Sequence, residues 1–432
     1  MMKRIVLSAM AVLVVVGMVF AVWGYASAAE PITLTFWTFQ QFHVKLMEAG
    51  AEAWNKLHPD QQVVIKSEVY PYEDMHTKLL VALQSGVGAP DFADIEITKF
   101  PNYLKGTNIQ LVPLNDIVDP VKDKFVQARL EIYAKDGKYY GAPTHVGATV
   151  MYYNKEILDQ AGVDPDKIAT WDDYIAAGKQ VVEKTGKPMT TVEVTDQWTQ
   201  WPLISQKGSD FLDKDKKISM DDEINISVLQ FQYDMVYKHK IAIIAPGGMH
   251  HVEEYWGFMN KGGAASIFMP MWYMGRFVDY MPDLKGKMII RPLPRWEPNG
   301  FRSAGMGGTG TAITNQTKDI ALAKGVLTEA KLTQDANIRI WNLLGFDPPR
   351  WDVWPMLKDQ PDNQFTNYFG KGIFDVLMQV KDEIRPVNIG ELTPVVNGEY
   401  RTTVAFRVLE QKEDPAKVLK EVAADLRARY AK

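Results

Sequence analysis

Residues Asp136 to Trp171, DGKYYGAPTHVGATVMYYNKEILDQAGVDPDKIATW, form the stretch around which the chain is organised. It opens on the turn pair Asp136-Gly137 and runs into Tyr139-Tyr140-Gly141-Ala142-Pro143. Gly weakens a strand interior and Pro cannot donate to a ladder, so this β-prone run is expected to be a strand that bends. Residues 146–153 form a second expected strand, rich in β-branched and aromatic side chains. Asn154 is a suitable N-cap for a helix over residues 155–160, and Gly162 closes it. A further helix starts at Thr170, with Asp172 and Asp173 in the first turn, where carboxylates are favoured.

Upstream of this stretch the pattern is β-α-β. Residues 31–37 alternate as a strand, 44–57 form a helix and 63–68 a second strand; a helix over 72–85 and a strand over 92–97 follow. Ligands of doubly wound sheets bind beyond the carboxyl ends of the strands. Trp37, Gln40 and Gln41 sit at such an end and are candidate ligand contacts.

Three motifs carry a resemblance: G-K-aromatic-Y-G-x-P at residues 137–143, YYNKE-x-L-x-x-A-G-V at 152–163, and P-x-x-x-x-TWDD at 165–173. Together they resemble the extracytoplasmic solute-binding proteins of bacterial ABC importers, in the carbohydrate-binding branch that includes maltose-binding protein. The resemblance implies an α/β chain with two doubly wound lobes, joined by crossover hinge strands, and a ligand cleft between them. It places the N-terminal lobe at residues 29–143 and 312–372 and the C-terminal lobe at 144–311 and 373–432, both discontinuous. It also implies the partners: a sugar or short oligosaccharide, and the membrane permease subunits of an importer.

Further segments resemble the same family and supply site candidates. LQSGVGAPD, residues 83–91, is similar to the signature that precedes a strand ending in a sugar-binding carboxylate; Glu96 matches it, with Thr98 beside it. Trp198 stands where the family stacks an aromatic ahead of Trp-Pro-Leu-Ile, whereas Trp201 is assigned to the core. The run FMNKGGAA at 258–265 is similar to a turn and strand that end in a stacking aromatic, here Trp272. Gly307 and Gly308 belong to the returning crossover and are expected to offer backbone contacts; His145 and Tyr400 complete the candidate set. An indole face is a broad, weakly polarised surface against which the apolar face of a pyranose lies flat.

Composition narrows the alternatives. The chain has 432 residues, 46% hydrophobic and 23% charged, with a formal charge of −5 and no basic block, which argues against a nucleic-acid partner. Lys3 and Arg4 precede an apolar run from Ile5 to Trp23, and Ala26-Ser27-Ala28 offers a cleavage site, so residues 1–28 are expected to be an export signal. An uncleaved membrane anchor is the competing reading. Without cysteine there are neither disulfides nor thiolate metal sites. A periplasmic or extracytoplasmic monomer is expected, without cofactor, metal or catalytic residue.

Other motifs carry less. Asp213-Lys214-Asp215 lacks the central Gly and terminal Glu of a calcium loop. His250-His251-Val252-Glu253-Glu254 lacks zincin spacing and is expected to be a polar loop near the cleft. Gly305 to Gly310 satisfies G-x-G-x-x-G, but Thr311-Ala312-Ile313 continues it as a strand rather than a helix. Two other functions remain open. A glycoside hydrolase would need paired carboxylates, for which Glu96, Asp94 and Glu253 are available, and a receptor for a peptide or polyol phosphate would want an arginine at the cleft.

Overall fold

The computed structural model describes residues 30–430; the expected export signal, residues 1–28, lies outside the described residues. The opening β-α-β pattern builds a five-stranded sheet in the order Val63–Val69, Ile32–Thr38, Phe92–Glu96, Thr309–Ile313, Ala142–Pro143. The first three strands are parallel, and Thr309–Ile313 runs antiparallel to both neighbours. The helix Gln41–Leu57 starts three residues before the expected position, because Gln40 is extended (φ −135°) and takes the cap. Its buried stripe, with Val44, Leu46, Met47 and Ala51, packs against the π-helical turn Thr328–Leu332.

A second, antiparallel sheet has the order Ser266–Pro270, Thr149–Asn154, Met288–Arg291. Its central strand is buried at every position, as its run of Val, Met and Tyr demands. The local signals around it hold. Asn154 accepts the Ile157 amide, Gly162 is left-handed at φ 71°, and Thr170 and Asp173 form a complete capping box.

Three passages of chain join the sheets side by side. The Met306 amide donates to the carbonyl of Gly147 at 2.7 Å, and that of Thr144 to Thr309 at 2.9 Å. At Gly147, φ is 79° and a Cβ would stand 2.0 Å from the Met306 oxygen, so the close approach requires glycine. Buried Asp347 secures the third passage, accepting the amides of Gly147 at 3.1 Å and Ala148 at 2.7 Å. Burial pushes its carboxyl up to about 6 despite those two donors.

The strand Thr309–Ile313 lies wholly in the larger sheet, and Gln364–Phe369 packs on the helix Met274–Tyr280 beside the smaller one. Among the described residues no helix is long and apolar enough to cross a membrane, and no cluster of His, Asp and Glu could hold a metal ion.

Candidate ligand-binding cleft

Between the two sheets lies a cavity of about 340 Å³, a size suited to a small ligand. The smaller sheet faces it with rings. The strand Ser266–Pro270 ends in proline and breaks into the single turn Met271–Tyr273, which presents Trp272 to the cavity. The Trp272 Nε1 donates to the Met306 carbonyl at 3.1 Å. One face of the indole stacks on His251 (centroids 5.5 Å, 23°), and Trp198 meets it edge to face at 5.2 Å and 75°.

Buried Glu193 fixes the two loops that carry these rings. It accepts the Trp198 amide and the His250 amide, each at 2.9 Å. Burial raises its carboxyl well above the usual carboxylate range, and the nearby Asp196 adds to the rise. The glycine-rich passage runs alongside. At Gly307 (φ 66°) a Cβ would stand 2.8 Å from Trp272 Nε1, and at Gly308 (φ 142°) 2.7 Å from Ile97 Cγ2. Only glycine lets this backbone lie so near the indole. Buried Arg129 donates to the Gly307 carbonyl from behind.

The larger sheet faces the cavity with polar groups. Glu96 ends the strand Phe92–Glu96, and its Oε2 accepts from Tyr72 Oη at 2.9 Å, from the Thr98 amide at 2.8 Å and from the Thr98 hydroxyl. Its Oε1 is buried without a partner. Burial pushes the Glu96 carboxyl up, against the pull of the Thr98 and Tyr72 hydrogen bonds. Behind it, His76 donates from Nδ1 to the Tyr72 carbonyl at 2.7 Å and accepts the Glu96 amide at Nε2, 3.1 Å. That arrangement requires neutral imidazole, and burial lowers its pKa to about 4.

His43 lines the cavity too, with Nδ1 2.7 Å from Asp94. Burial alone would raise the Asp94 carboxyl, but His43 and the Thr311 hydroxyl, at 2.6 Å, hold it down at about 2. Both ring nitrogens of buried His145 lack partners, and burial followed by the Arg129 charge keeps this imidazole neutral. The two sides touch where Arg276 Nη2 donates to Gln40 Oε1 at 3.2 Å.

Of the sequence candidates, Trp272, Trp198, Glu96, Gln40, His145, Gly307 and Gly308 come together around this cavity. Four do not line it. Trp37 turns away against Tyr70 (5.4 Å, 74°) under the Lys78 ammonium. Gln41 falls in the exposed first turn of its helix once Gln40 takes the cap. Thr98 lies behind Glu96, its hydroxyl spent on that carboxylate. Tyr400 is fully buried on Phe211 (5.2 Å) in a π-helical turn; the following residue, Arg401, reaches the cavity instead.

Trp201 is core, with Nε1 donating to Asp210. Trp351 is exposed, its Nε1 on the Asp123 carbonyl, and Trp354 is buried with its Nε1 on that of Pro348; neither lines the cleft. Asp94 is locked inside its network, and Glu253 is exposed at a helix start. The site also gathers Tyr72, His43 and Arg276, which the sequence did not place there, and His251, from the loop expected near the cleft. Arg276 lies four residues after Trp272, one helical turn further on, and that spacing was the available signal.

Two α/β lobes, three hinge passages and a cleft faced from both sides define a hinged binding protein. The chain belongs to the bacterial extracellular solute-binding protein family, whose description it matches over residues 41–334. It is 55% identical over 396 residues to an arabinooligosaccharide-binding protein of Halalkalibacterium halodurans, covering 91% of this chain and 89% of that one. A protein of the same description from Bacillus subtilis is 48% identical, covering 91% and 92%. Among solved structures, an ABC-transporter-associated binding protein from B. animalis subsp. lactis, in complex with β-1,6-galactobiose, superposes with a TM-score of 0.75. That match has 21% identity and covers 92% of this chain and 97% of the other.

Proposed function

We propose that this protein captures a neutral arabino-oligosaccharide by closing its lobes around it, and delivers it to the permease subunits of an ABC importer. The observation that carries the reading is the meeting in one cavity of the Trp272–Trp198 corner with polar atoms that lack partners, Glu96 Oε1 and both nitrogens of His145. Stacking area with a few unspent hydrogen-bonding groups suits a ring that has an apolar face and a hydroxyl edge. The two arabinooligosaccharide-binding relatives supply the sugar class.

Closure stores ligand affinity only if the closed form binds better than the open one. The Arg276–Gln40 contact joins the lobes across the cleft and would be made on closing. The division into two discontinuous lobes, expected as 29–143 with 312–372 and 144–311 with 373–432, remains part of this proposal, with the whole strand Thr309–Ile313 assigned to the first lobe and the helix Gln364–Phe369 to the second. So do export directed by residues 1–28, a monomeric state, the lack of catalysis and the lack of a nucleic-acid partner.

Arg276 gives a second reading some standing, since its buried Nε has no partner and would suit an anionic solute. A thermal-shift screen of the protein from Ala29 onward tests both, because a ligand that binds only the folded state raises its melting temperature. A shift confined to arabino-oligosaccharides supports the proposal, whereas a response to polyol phosphates with silence across the sugars overturns it. Release of reducing sugar by the purified protein, lost in Glu96→Gln, would replace the receptor with a hydrolase.

A further inference from the structure

Beside the smaller sheet, and sharing no lining residue with the cleft, lies a cavity of about 240 Å³. Its walls come from the end of the helix Trp201–Gln206, from the loop that carries Trp296 and Phe301, and from Arg385. Ser303, just past that loop, donates to the Thr149 carbonyl at 2.9 Å and so ties the cavity to the central strand of the sheet. Ser303–Ala304 pairs with Ile384–Arg385, and the Arg385 carbonyl accepts the Gly305 amide at 3.1 Å, which fixes the backbone from which this side chain projects.

The cavity holds two cations. The Lys207 ammonium lies 4.7 Å from the centroid of the Trp296 ring, and the Arg385 guanidinium 4.3 Å from that of Phe301. A cation seated on a ring face is positioned without giving up its N–H groups. Lys207 uses one, on the Ser227 hydroxyl at 3.0 Å. The Arg385 side chain bonds to nothing among the described residues, and its Nε is buried without a partner. Gly208, at φ 94°, brings the two to one wall: a Cβ there would stand 3.1 Å from Arg385 Nη1. Like charges that share a wall repel, the more so away from bulk water.

No carboxylate answers them among the described residues. Glu383, two residues before Arg385, is held by Arg302 at 2.6 Å and faces Arg295 at 3.8 Å. Glu297 is the one carboxylate among the described lining residues, and it is exposed. Burial lowers the Lys207 pKa even with Glu297 pulling the other way, and an anion beside the ammonium would counter that effect. The third donor is the Trp296 indole, whose Nε1 is buried without a partner. Gln206 also lines the cavity, but its amide nitrogen already donates to the carbonyls of Pro294 and Phe301, at 2.7 Å each.

We propose that this cavity is a binding site for a small oxyanion of the phosphate class, held by the Lys207 ammonium, the Arg385 guanidinium and the Trp296 N–H. Guanidinium and ammonium groups are suited to such an anion, the first through two parallel hydrogen bonds and the second as a point charge. The site is separate from the sugar cleft and stands whether or not the sugar reading does.

Calorimetric titration of the protein from Ala29 onward with inorganic phosphate tests it, in the wild type and in Lys207→Gln, Arg385→Gln and Arg276→Gln. Ionic strength is held constant with chloride, which separates a built site from general screening. The wild type should bind phosphate saturably. Lys207→Gln and Arg385→Gln should each weaken binding by about tenfold, and Arg276→Gln, in the cleft, should leave it within about twofold. Lys207 is only half-buried, so Lys207→Gln should melt with the wild type and carries the test by itself if Arg385→Gln fails to fold. Absence of saturable binding to the wild type, or an affinity unchanged in Lys207→Gln, overturns the site. Loss of binding in Arg276→Gln alone overturns it too, by moving the anion into the cleft.

Discussion

On the smaller-sheet side, the cleft is faced by two indoles and an imidazole whose positions are set by backbone contacts, through Met306 and through Glu193. On the larger-sheet side it is faced by Glu96, Tyr72, His43 and His145, and there the polar groups largely hold one another. The ring wall offers area and is insensitive to small shifts of a ligand. The polar wall offers directed bonds, and Glu96 Oε1 and the His145 nitrogens are left to make them. A sugar ring lying between such walls would gain contact from one and orientation from the other.

Each wall also has a second row that faces no ligand, and substitutions in the front and back rows should separate stability from binding. The largest effect is expected behind the rings. Trp201 is buried and its Nε1 is bonded to Asp210, so Trp201→Ala should cost about 4 kcal/mol of stability, with a smaller loss of affinity. Chemical denaturation beside titration with ligand checks this, and a variant that melts like the wild type but fails to bind would move Trp201 to the front row.

Behind the polar wall the corresponding residue is His76, and acid is its probe. Its folded pKa of about 4 lies below the ordinary 6.5, so its contribution is complete above pH 6.5 and is lost as pH falls through 4. The unfolded chain takes up a proton in that window that the folded chain refuses, which amounts to about 3 kcal/mol. Urea midpoints between pH 7 and pH 4 should therefore fall, and less steeply in His76→Gln. Identical slopes for the two proteins would sink this account.

In the front rows, affinity rather than stability should move. Trp272→Ala removes the central stacking face and should weaken arabino-oligosaccharide binding by about 2 kcal/mol, more than Trp201→Ala weakens it. The reverse order would break the division into rows. The smallest effect is expected at Glu96→Gln, which keeps the shape and exchanges a carboxylate acceptor for an amide. A loss of about 1 kcal/mol in binding, with the melting temperature nearly unchanged, is the expected outcome. Loss of folding instead would show that the Tyr72 and Thr98 contacts are what Glu96 is for.

Much of the chain was legible because its signals are local. The Asn154 and Thr170 caps and the left-handed Gly162 depend on residues a few positions apart, and they stand where the pattern put them. The bend at 139–143 was legible from its Gly and Pro, and the resemblance to the solute-binding family marked that passage and the glycine run at 305–308 as hinge. Trp272, Trp198 and Glu96 sit at the ends or just beyond the ends of strands, and periodicity locates such ends.

Tertiary structure decided the rest. Whether Trp37 turns toward a ligand or toward Tyr70 depends on the neighbouring strand, and whether Tyr400 or Arg401 faces the cavity depends on one π-helical turn. Arg276 and Gln40 lie 236 residues apart and meet only because three chain passages are fastened together at Gly147, Met306 and Asp347. The sequence by itself determined the elements, since those rest on short-range stereochemistry, and the resemblance of its motifs to a known family supplied the hinge passages and the class of the protein. Which side chains share the cleft was settled by packing between segments far apart in the chain, where a rotation of one element by a single residue exchanges a ligand contact for a core contact.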